Sequence, residues 1–198
     1  MPIITIDGNI GCGKSSVLNY LHKFHKLPIV LEPVESWEQH LINLYKEKKE
    51  VFQFQVRVWL DRCWIQEKSD KSSILMERSP LFIKEVFIKA ARLQNLITTE
   101  QEKTLYDIHK NTDNLWKENH YIYLCCNPDN CLKKIKKRNR QYESNITQDY
   151  INLLHNLHQE VCMNNPNIKV IDVNNRTVVD IANEILEYMK INKFIDSI

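Results

Sequence analysis

A three-layer α/β/α architecture on a central parallel sheet of about five strands is the fold this sequence predicts, and three observations predict it. Short Val/Ile-rich runs alternate with longer amphipathic segments along the chain, the pattern of a parallel sheet covered on both faces. The first run leads straight into a glycine-rich turn that opens a helix, Gly8-Asn9-Ile10-Gly11-Cys12-Gly13-Lys14-Ser15. Two later runs stop at charged residues followed by proline, Glu32-Pro33 and Glu77-Arg78-Ser79-Pro80. The carboxyl ends of parallel strands are where such sheets present ligand-binding groups.

Ile3-Ile4-Thr5-Ile6 is a β-branched first strand. The turn after it reads G-x-x-x-x-G-K-S, a phosphate-binding loop, in the strand–loop–helix context that gives this motif its meaning. Val17, Leu18, Leu21 and Phe24 then recur at helical spacing. Ile29-Val30-Leu31 is a second strand, ended at Glu32 because Pro33 disfavours further regular structure. A helix is expected over residues 37–48, with Leu41, Leu44 and Tyr45 on one face. Another begins near Val51 and carries Phe54, Gln55, Val58, Trp59 and Arg62. Ser73-Ile74-Leu75-Met76 reads as the third strand, with a helix over 81–93 behind it. Residues 98–119 read as one long helix that turns Leu105, Ile108, Leu115 and Trp116 inward. Tyr121-Ile122-Tyr123-Leu124-Cys125 is the fourth strand, and a helix over 129–137 runs into a basic segment. A helix over 147–163, the strand Lys169-Val170-Ile171-Asp172-Val173 and a helix over 178–190 complete the pattern.

Composition narrows the class. At 198 residues, with 43% hydrophobic and 26% charged residues, the chain reads as a single domain spanning 1–198. A net charge of +2 is too near balance to imply a nucleic-acid partner. No apolar run approaches the roughly 20 residues of a bilayer span, so no membrane partner is expected. The N-terminus enters the first strand directly, leaving no room for a signal peptide. Six cysteines form neither a zinc spacing nor a compact disulfide framework, which points to a reduced, cytoplasmic protein.

The glycine-rich turn has a specific chemistry. Glycine lets the backbone bend and turn its amides onto an anion, and the following helix N-terminus adds to the same field. Gly8, Asn9, Ile10, Gly11, Cys12, Gly13, Lys14, Ser15 and Ser16 are therefore the expected phosphate site. Lys14 reaches the outer phosphates and Ser15 is a ligand for Mg²⁺. Gly8, Gly11 and Gly13 are the chain's three glycines. Cys12, beside Lys14 and a helix N-terminus, is expected to have a lowered thiol pKa. Phosphoryl transfer needs a phosphate cradle, a metal ligand, a group to orient or deprotonate the acceptor, and cationic charge for the transition state. The three strand ends, with the loop, Glu32 and Glu77-Arg78, can supply each.

Asp7-Gly8-Asn9-Ile10-Gly11-Cys12-Gly13-Lys14-Ser15, Glu32-Pro33-Val34-Glu35-Ser36-Trp37, Phe54-Gln55, Met76-Glu77-Arg78-Ser79 and Arg138-Asn139-Arg140 together resemble, in the same order, the motifs of the deoxynucleoside kinase family. The resemblance spans residues 1 to about 177. It implies an ATP-dependent transfer to the 5′-OH of a deoxynucleoside, with Mg²⁺, in a homodimer. Residue by residue it implies Glu32 as general base, Arg78 bridging the 5′-oxygen and the phosphoryl group, and Glu77 with Ser15 near the metal. On the nucleoside side it implies Trp37 and Phe87 as aromatic walls, Gln55 on the base edge, Val58 with Ile10 as apolar walls, and Tyr45 and Glu143 on the sugar. Glu35 reads as plain surface.

Six of the eight residues 133–140 are basic. The resemblance reads residues of about 134–145 as a lid in which Arg138, Arg140 and Lys134 close over the donor phosphates, a task suited to the planar fork of arginine. Tyr142 stands where relatives carry an acid. Asn175 and Arg176 would lie in the loop that holds the donor's adenine. Two positions set base preference in relatives, and here they are Arg62 and Ile83. Cytidine and guanosine kinases pair arginine with aspartate there, whereas this chain has the arginine alone, free to turn outward or to bond a base carbonyl. Thymidine and deoxycytidine are the substrates this reading leans to. The alternatives are a nucleoside monophosphate kinase on the same fold and a nucleotide-binding switch without transfer activity. Apolar surface from Trp59, Trp64, Leu105 and Trp116 is the expected dimer face.

Overall fold

Among the described residues five strands form one sheet, each neighbouring pair parallel: β1 (Ile3–Gly8), β2 (Ile29–Val30), β3 (Ile74–Glu77), β4 (Asn119–Cys125) and β5 (Lys169–Asp172), in the order β2-β3-β1-β4-β5. The structure is a computed structural model that describes residues 3–68, 74–116 and 119–195. β1, the central strand, is buried along its whole length. Its register sets Ile6 beside Glu77 and Gly8 beside Leu124. The carboxyl ends of β1 and β3 therefore finish side by side, which delivers the glycine-rich loop and Glu77-Arg78 to the same edge of the sheet.

Helix α1 (Lys14–His25) follows the loop and packs against the last helix, α9 (Val178–Ile191). α2 (Glu38–Ile42) continues as a π turn, Asn43–Glu47, and is followed by α3 (Val51–Lys68). After β3 come α4 (Pro80–Phe82), a second π turn at Ile83–Ile88 and α5 (Lys89–Leu93). α6 (Thr99–Asn111), α7 (Pro128–Arg138) and α8 (Gln148–Asn164) complete the layers. The helix starts are written in the sequence. Ser79, Asn127, Thr98, Thr147 and Thr177 each accept a backbone N–H from the first turn, and proline occupies the first position of α4 and α7.

One helix differs from the sequence reading. Residues 98–119 are not continuous: α6 ends at Asn111, a 3₁₀ turn covers Asp113–Trp116, and β4 already begins at Asn119. Thr112 is the cause. Its hydroxyl bonds back to the carbonyls of Ile108 and His109 and also accepts the indole N–H of Trp59, a local alternative to helical continuation. Trp59 stacks on His109 with ring centroids 3.6 Å apart and packs against Trp116. Trp59, Leu105 and Trp116 are thus buried within the chain and are not the exposed apolar face expected of them; the side chain of Trp64 lies outside the described residues. Leu60 on α3 is exposed instead. All six cysteines are free thiols. Among the described residues, no helix is long and apolar enough to cross a membrane.

Candidate active site

A cleft of about 790 Å³ opens at the carboxyl edge of β1 and β3, within the size range of small-molecule sites. One end is the glycine-rich loop. Gly11 has φ +81°, and a Cβ there would stand 2.5 Å from the Cys131 carbonyl, so no larger residue fits. Lys14 is buried and donates its ammonium to the carbonyls of Gly8 and Asn9, 3.2 and 3.1 Å away. Ser15 Oγ lies 3.0 and 3.1 Å from the two Glu77 carboxylate oxygens, and Lys14 Nζ stands 3.9 Å from the same carboxylate. Two hard oxygen donors at the mouth of a phosphate loop fit Mg²⁺, which takes one or two protein oxygens beside substrate phosphates.

The strand ends form the middle. Arg78 adopts the left-handed conformation, φ +68°, a strained state for a non-glycine residue. It is held there from three sides. Its N–H bonds the Ile6 carbonyl, the next N–H bonds Asp7 Oδ1 at 2.8 Å, and its Nε donates to Glu32 Oε1 at 2.6 Å. Its guanidinium also covers the Phe87 ring at 4.0 Å. Burial alone would raise the Glu32 pKa, but Arg78, Arg62 and Lys14 pull it down to about 2. Asp7 goes the other way: wholly buried, its carboxyl is pushed up to about 6 against the pull of its Ser79 hydrogen bond and of Arg78.

Arg62 neither turns outward nor lines the cleft. It is fully buried behind Glu32, with Nη2 3.5 Å from the same Oε1 that Arg78 holds. Burial depresses its pKa, opposed by Glu32 and Glu77. Its acid partner, absent from the position near Ile83, is Glu32.

The far end is apolar. Trp37, Leu41, Leu44, Tyr45, Phe54, Gln55, Val58, Ile83 and Phe87 line it, with Ile10 from the loop. Trp37 meets Phe54 edge to face at 5.7 Å, and Tyr45 meets Tyr150 at 6.2 Å. The two π turns carry Leu44 with Tyr45 and Ile83 with Phe87. An extra residue in a turn rotates the later side chains about the helix axis, and such bulges recur at functional sites. Periodicity at 3.6 gave no hint of either turn.

The basic segment closes the cleft from α7. Arg138 and Arg140 line it, but Arg138 grips Glu143 with two hydrogen bonds and Arg140 Nη1 lies 3.8 Å from the same carboxylate. Glu143 is buried. Lys134 Nζ approaches the Cys12 carbonyl at 3.5 Å. The lid arginines and the residue expected at the sugar thus form one ion-paired cluster. Tyr142 and Glu35 also line the cleft.

Three expectations change. Arg176 does not line the cleft: its guanidinium is taken by the Asp172 carbonyl, the Asp180 carbonyl and Glu184 Oε2 at 3.1, 3.1 and 2.6 Å. Asn175 is likewise not among the lining residues. Cys12 is 2% exposed, and burial raises its thiol pKa against the pull of Lys14, so the low-pKa reading fails on desolvation. Sequence reasoning also missed Asp61, one turn from Arg57 on α3, whose carboxylate binds the Trp37 indole. Nothing in the linear sequence marks it.

The family model described as Deoxynucleoside kinase matches residues 4–196 of this chain. The chain is 33% identical over 159 residues to a protein of Invertebrate iridescent virus 6 named as a kinase, covering 79% of this chain and 80% of that one. It is 31% identical over 174 residues to a probable deoxycytidine kinase of Fowlpox virus (strain NVSL), covering 79% and 70%. A solved deoxyadenosine kinase from M. mycoides, with dCMP and dCDP bound, superposes with a TM-score of 0.84 at 26% identity, over 98% of this chain and 100% of that one.

Proposed function

The chain belongs to the deoxynucleoside kinase family, and from that premise we propose that it transfers the γ-phosphoryl group of ATP to the 5′-OH of thymidine or deoxycytidine. The observation that carries the proposal is the position of Glu32. Its carboxylate sits between the phosphate loop and the apolar end of the cleft, paired with Arg78 at 2.6 Å. A nucleoside hydroxyl needs a base at that seam, whereas a monophosphate oxygen is already ionised.

In this reading the base and sugar enter the apolar end, with Trp37 and Phe87 as walls and the Gln55 amide on the base edge. An amide offers donor and acceptor side by side and serves thymine or cytosine by turning over. The buried, apolar Val58 and Ile83 and the withdrawal of Arg62 onto Glu32 support a pyrimidine. Tyr45 and Glu143, which line the same cleft, are assigned to the sugar. Lys14, the loop amides, Arg138 and Arg140 take the donor phosphates. Asn175 and Arg176, which do not line the cleft, take no part in this reading. Ser15 and Glu77 would hold Mg²⁺, which when bound neutralises phosphate charge.

Glu32 at a pKa of about 2 is a weak base while Arg78 grips it. As Arg78 transfers its hydrogen bonding to the phosphoryl group, the carboxylate loses its strongest partner and gains basicity when the 5′-OH must lose its proton. Reaction in the cytoplasm and a homodimer belong to the same proposal. Leu60, exposed on α3, is available for the second copy, and sedimentation at micromolar concentration tests it.

The deciding assay offers thymidine, deoxycytidine, deoxyadenosine, deoxyguanosine, thymidine monophosphate and no acceptor, each with ATP and Mg²⁺. Pyrimidine deoxynucleosides should give the highest kcat/KM. Preferential phosphorylation of the monophosphate, or ATP turnover indifferent to acceptor, refutes the reading.

A further inference from the structure

Trp37 is an unusual wall. It is 3% exposed and lines the cleft, and its indole N–H donates to Asp61 Oδ2 on α3 at 2.7 Å. The same oxygen accepts from Arg57 Nε at 2.9 Å. Arg57 and Asp61 are one helical turn apart on α3, and Arg57 is 46% exposed in its side chain. A chain of three groups therefore runs from solvent, through a carboxylate, to the aromatic face of the cleft. On its other sides the ring meets Phe54 edge-on at 5.7 Å and the Arg62 guanidinium at 5.9 Å.

Those other contacts bury the ring without bonding its N–H. Edge packing and a cation near 6 Å favour a plane but fix no direction. A hydrogen bond between an indole N–H and an ionised carboxylate is directional, and shorter and stronger than a neutral one. The backbone that delivers Trp37 is a turn over residues 34–37 that caps α2, with the Trp37 carbonyl accepting the Leu41 N–H; it fixes the Cα of Trp37 but bonds no atom of the indole. The directional contact to the indole comes from α3.

We propose that Asp61 is a positioning residue for the acceptor: by holding the Trp37 indole, with Arg57 steadying the carboxylate, it sets the wall against which the nucleoside packs. This rests on the reading of the cleft's apolar end as the nucleoside site. Asp61 touches neither the reacting atoms nor the phosphate loop, so its influence falls on acceptor binding and not on transfer.

The test is a double-mutant cycle on the full chain, with steady-state kinetics in thymidine or deoxycytidine and, separately, in ATP. Asp61→Ala should raise the nucleoside KM roughly 10- to 100-fold, the scale of one hydrogen bond to a charged group, with kcat and the ATP KM within about twofold. Asp61→Asn keeps an oxygen acceptor for the indole and should restore the nucleoside KM to within about threefold. Trp37→Phe removes the N–H; in that background Asp61→Ala should add less than about twofold, because partners in one interaction are non-additive. The Asp61 side chain is 24% exposed, and Asp61→Leu replaces the alanine variant if that one is unstable. An undiminished effect of Asp61→Ala in the Trp37→Phe background overturns the proposal. So does a fall in melting temperature with no change in KM, or a loss of kcat with KM unmoved. If the wild type phosphorylates no deoxynucleoside, the functional reading fails instead, and the two failures are told apart.

Discussion

Replacing Glu32 by glutamine should separate catalysis from stability in a single variant. The substitution keeps the shape and removes the charge. The Glu32 side chain is 14% exposed and faces Arg78 at 2.6 Å and Arg62 at 3.5 Å. Lowering its pKa from 4.5 to about 2 corresponds to about 3 kcal/mol in favour of the folded state. That contribution is present above pH 4.5 and is lost as pH falls through 2. Removing one partner of a buried pair costs a similar amount, about 3–5 kcal/mol, because the remaining cations are left uncompensated. For a chain of this length 1 kcal/mol moves the melting temperature by about 2–4 °C. Glu32→Gln should therefore melt roughly 6–20 °C lower at neutral pH. Turnover should fall by roughly 10²–10⁴, the range of general-base catalysis, while nucleoside affinity changes little. Calorimetry, equilibrium nucleoside binding and kcat, all measured well below the lowered melting point, give the three numbers. A variant that binds nucleoside and turns over within twofold of wild type refutes the base assignment, whatever its stability.

The same geometry sets three further outcomes. Arg62→Met should leave the thymidine-to-deoxycytidine ratio of kcat/KM within about twofold, since the guanidinium faces Glu32 and not the cleft; a ratio moved tenfold would mean that it reads the base. Gly11→Ala should abolish nucleotide binding or folding, because its Cβ would meet a backbone carbonyl at 2.5 Å, and unperturbed ATP binding by calorimetry would contradict this. Asp7, with its pKa raised from 3.8 to about 6, contributes stability that is fully present below pH 3.8 and lost as pH rises through 6. Asp7→Asn should flatten the decline in melting temperature across pH 4–6, and an unchanged slope places the titration elsewhere.

The sheet was legible because its signals are local. β-branched runs mark the strands, and proline or a glycine turn marks their ends, so Glu32, Glu77 and Arg78 could be assigned to the carboxyl edge from spacing alone. The structure gathers them in one cleft with the phosphate loop. The hidden features depend on what a side chain meets across the fold. Thr112 ends a helix through its own backbone and through Trp59, 53 residues away. Arg62 finds its acid on a different element, 30 positions earlier, so the missing aspartate near Ile83 gave a false impression of an unpaired cation. Cys12 looks reactive from its neighbours in sequence, but 2% exposure reverses the sign. Arg176 sits in a loop that resembles a donor site, and only the carboxylate of Glu184 on α9 shows why its guanidinium is engaged elsewhere.

The buried charges explain how one cleft can hold so many ionisable groups. Asp7, Glu32 and Glu77 stand with Lys14, Arg62 and Arg78, all six buried or nearly so. Taken out of water singly, each would cost several kcal/mol. Together the three carboxylates face three cations, which offsets the burial at Glu32 and Arg78 but not at Asp7 or at Arg62, whose guanidinium nitrogens make no hydrogen bond. The balance is uneven from group to group: Glu32 is held ionised while Asp7 is driven toward its neutral form. Arg78 is the link between the two, covalently one residue from the amide that Asp7 accepts and hydrogen-bonded to Glu32. A phosphoryl group that draws Arg78 toward itself would therefore loosen Glu32 without exposing it to water. The left-handed backbone at Arg78 is held by contacts on both sides, to Ile6 and Asp7 through its own and the next amide and to Glu32 through its guanidinium. Backbone strain and ion pairing meet at that single residue, on which the proposed activation of the acceptor would turn.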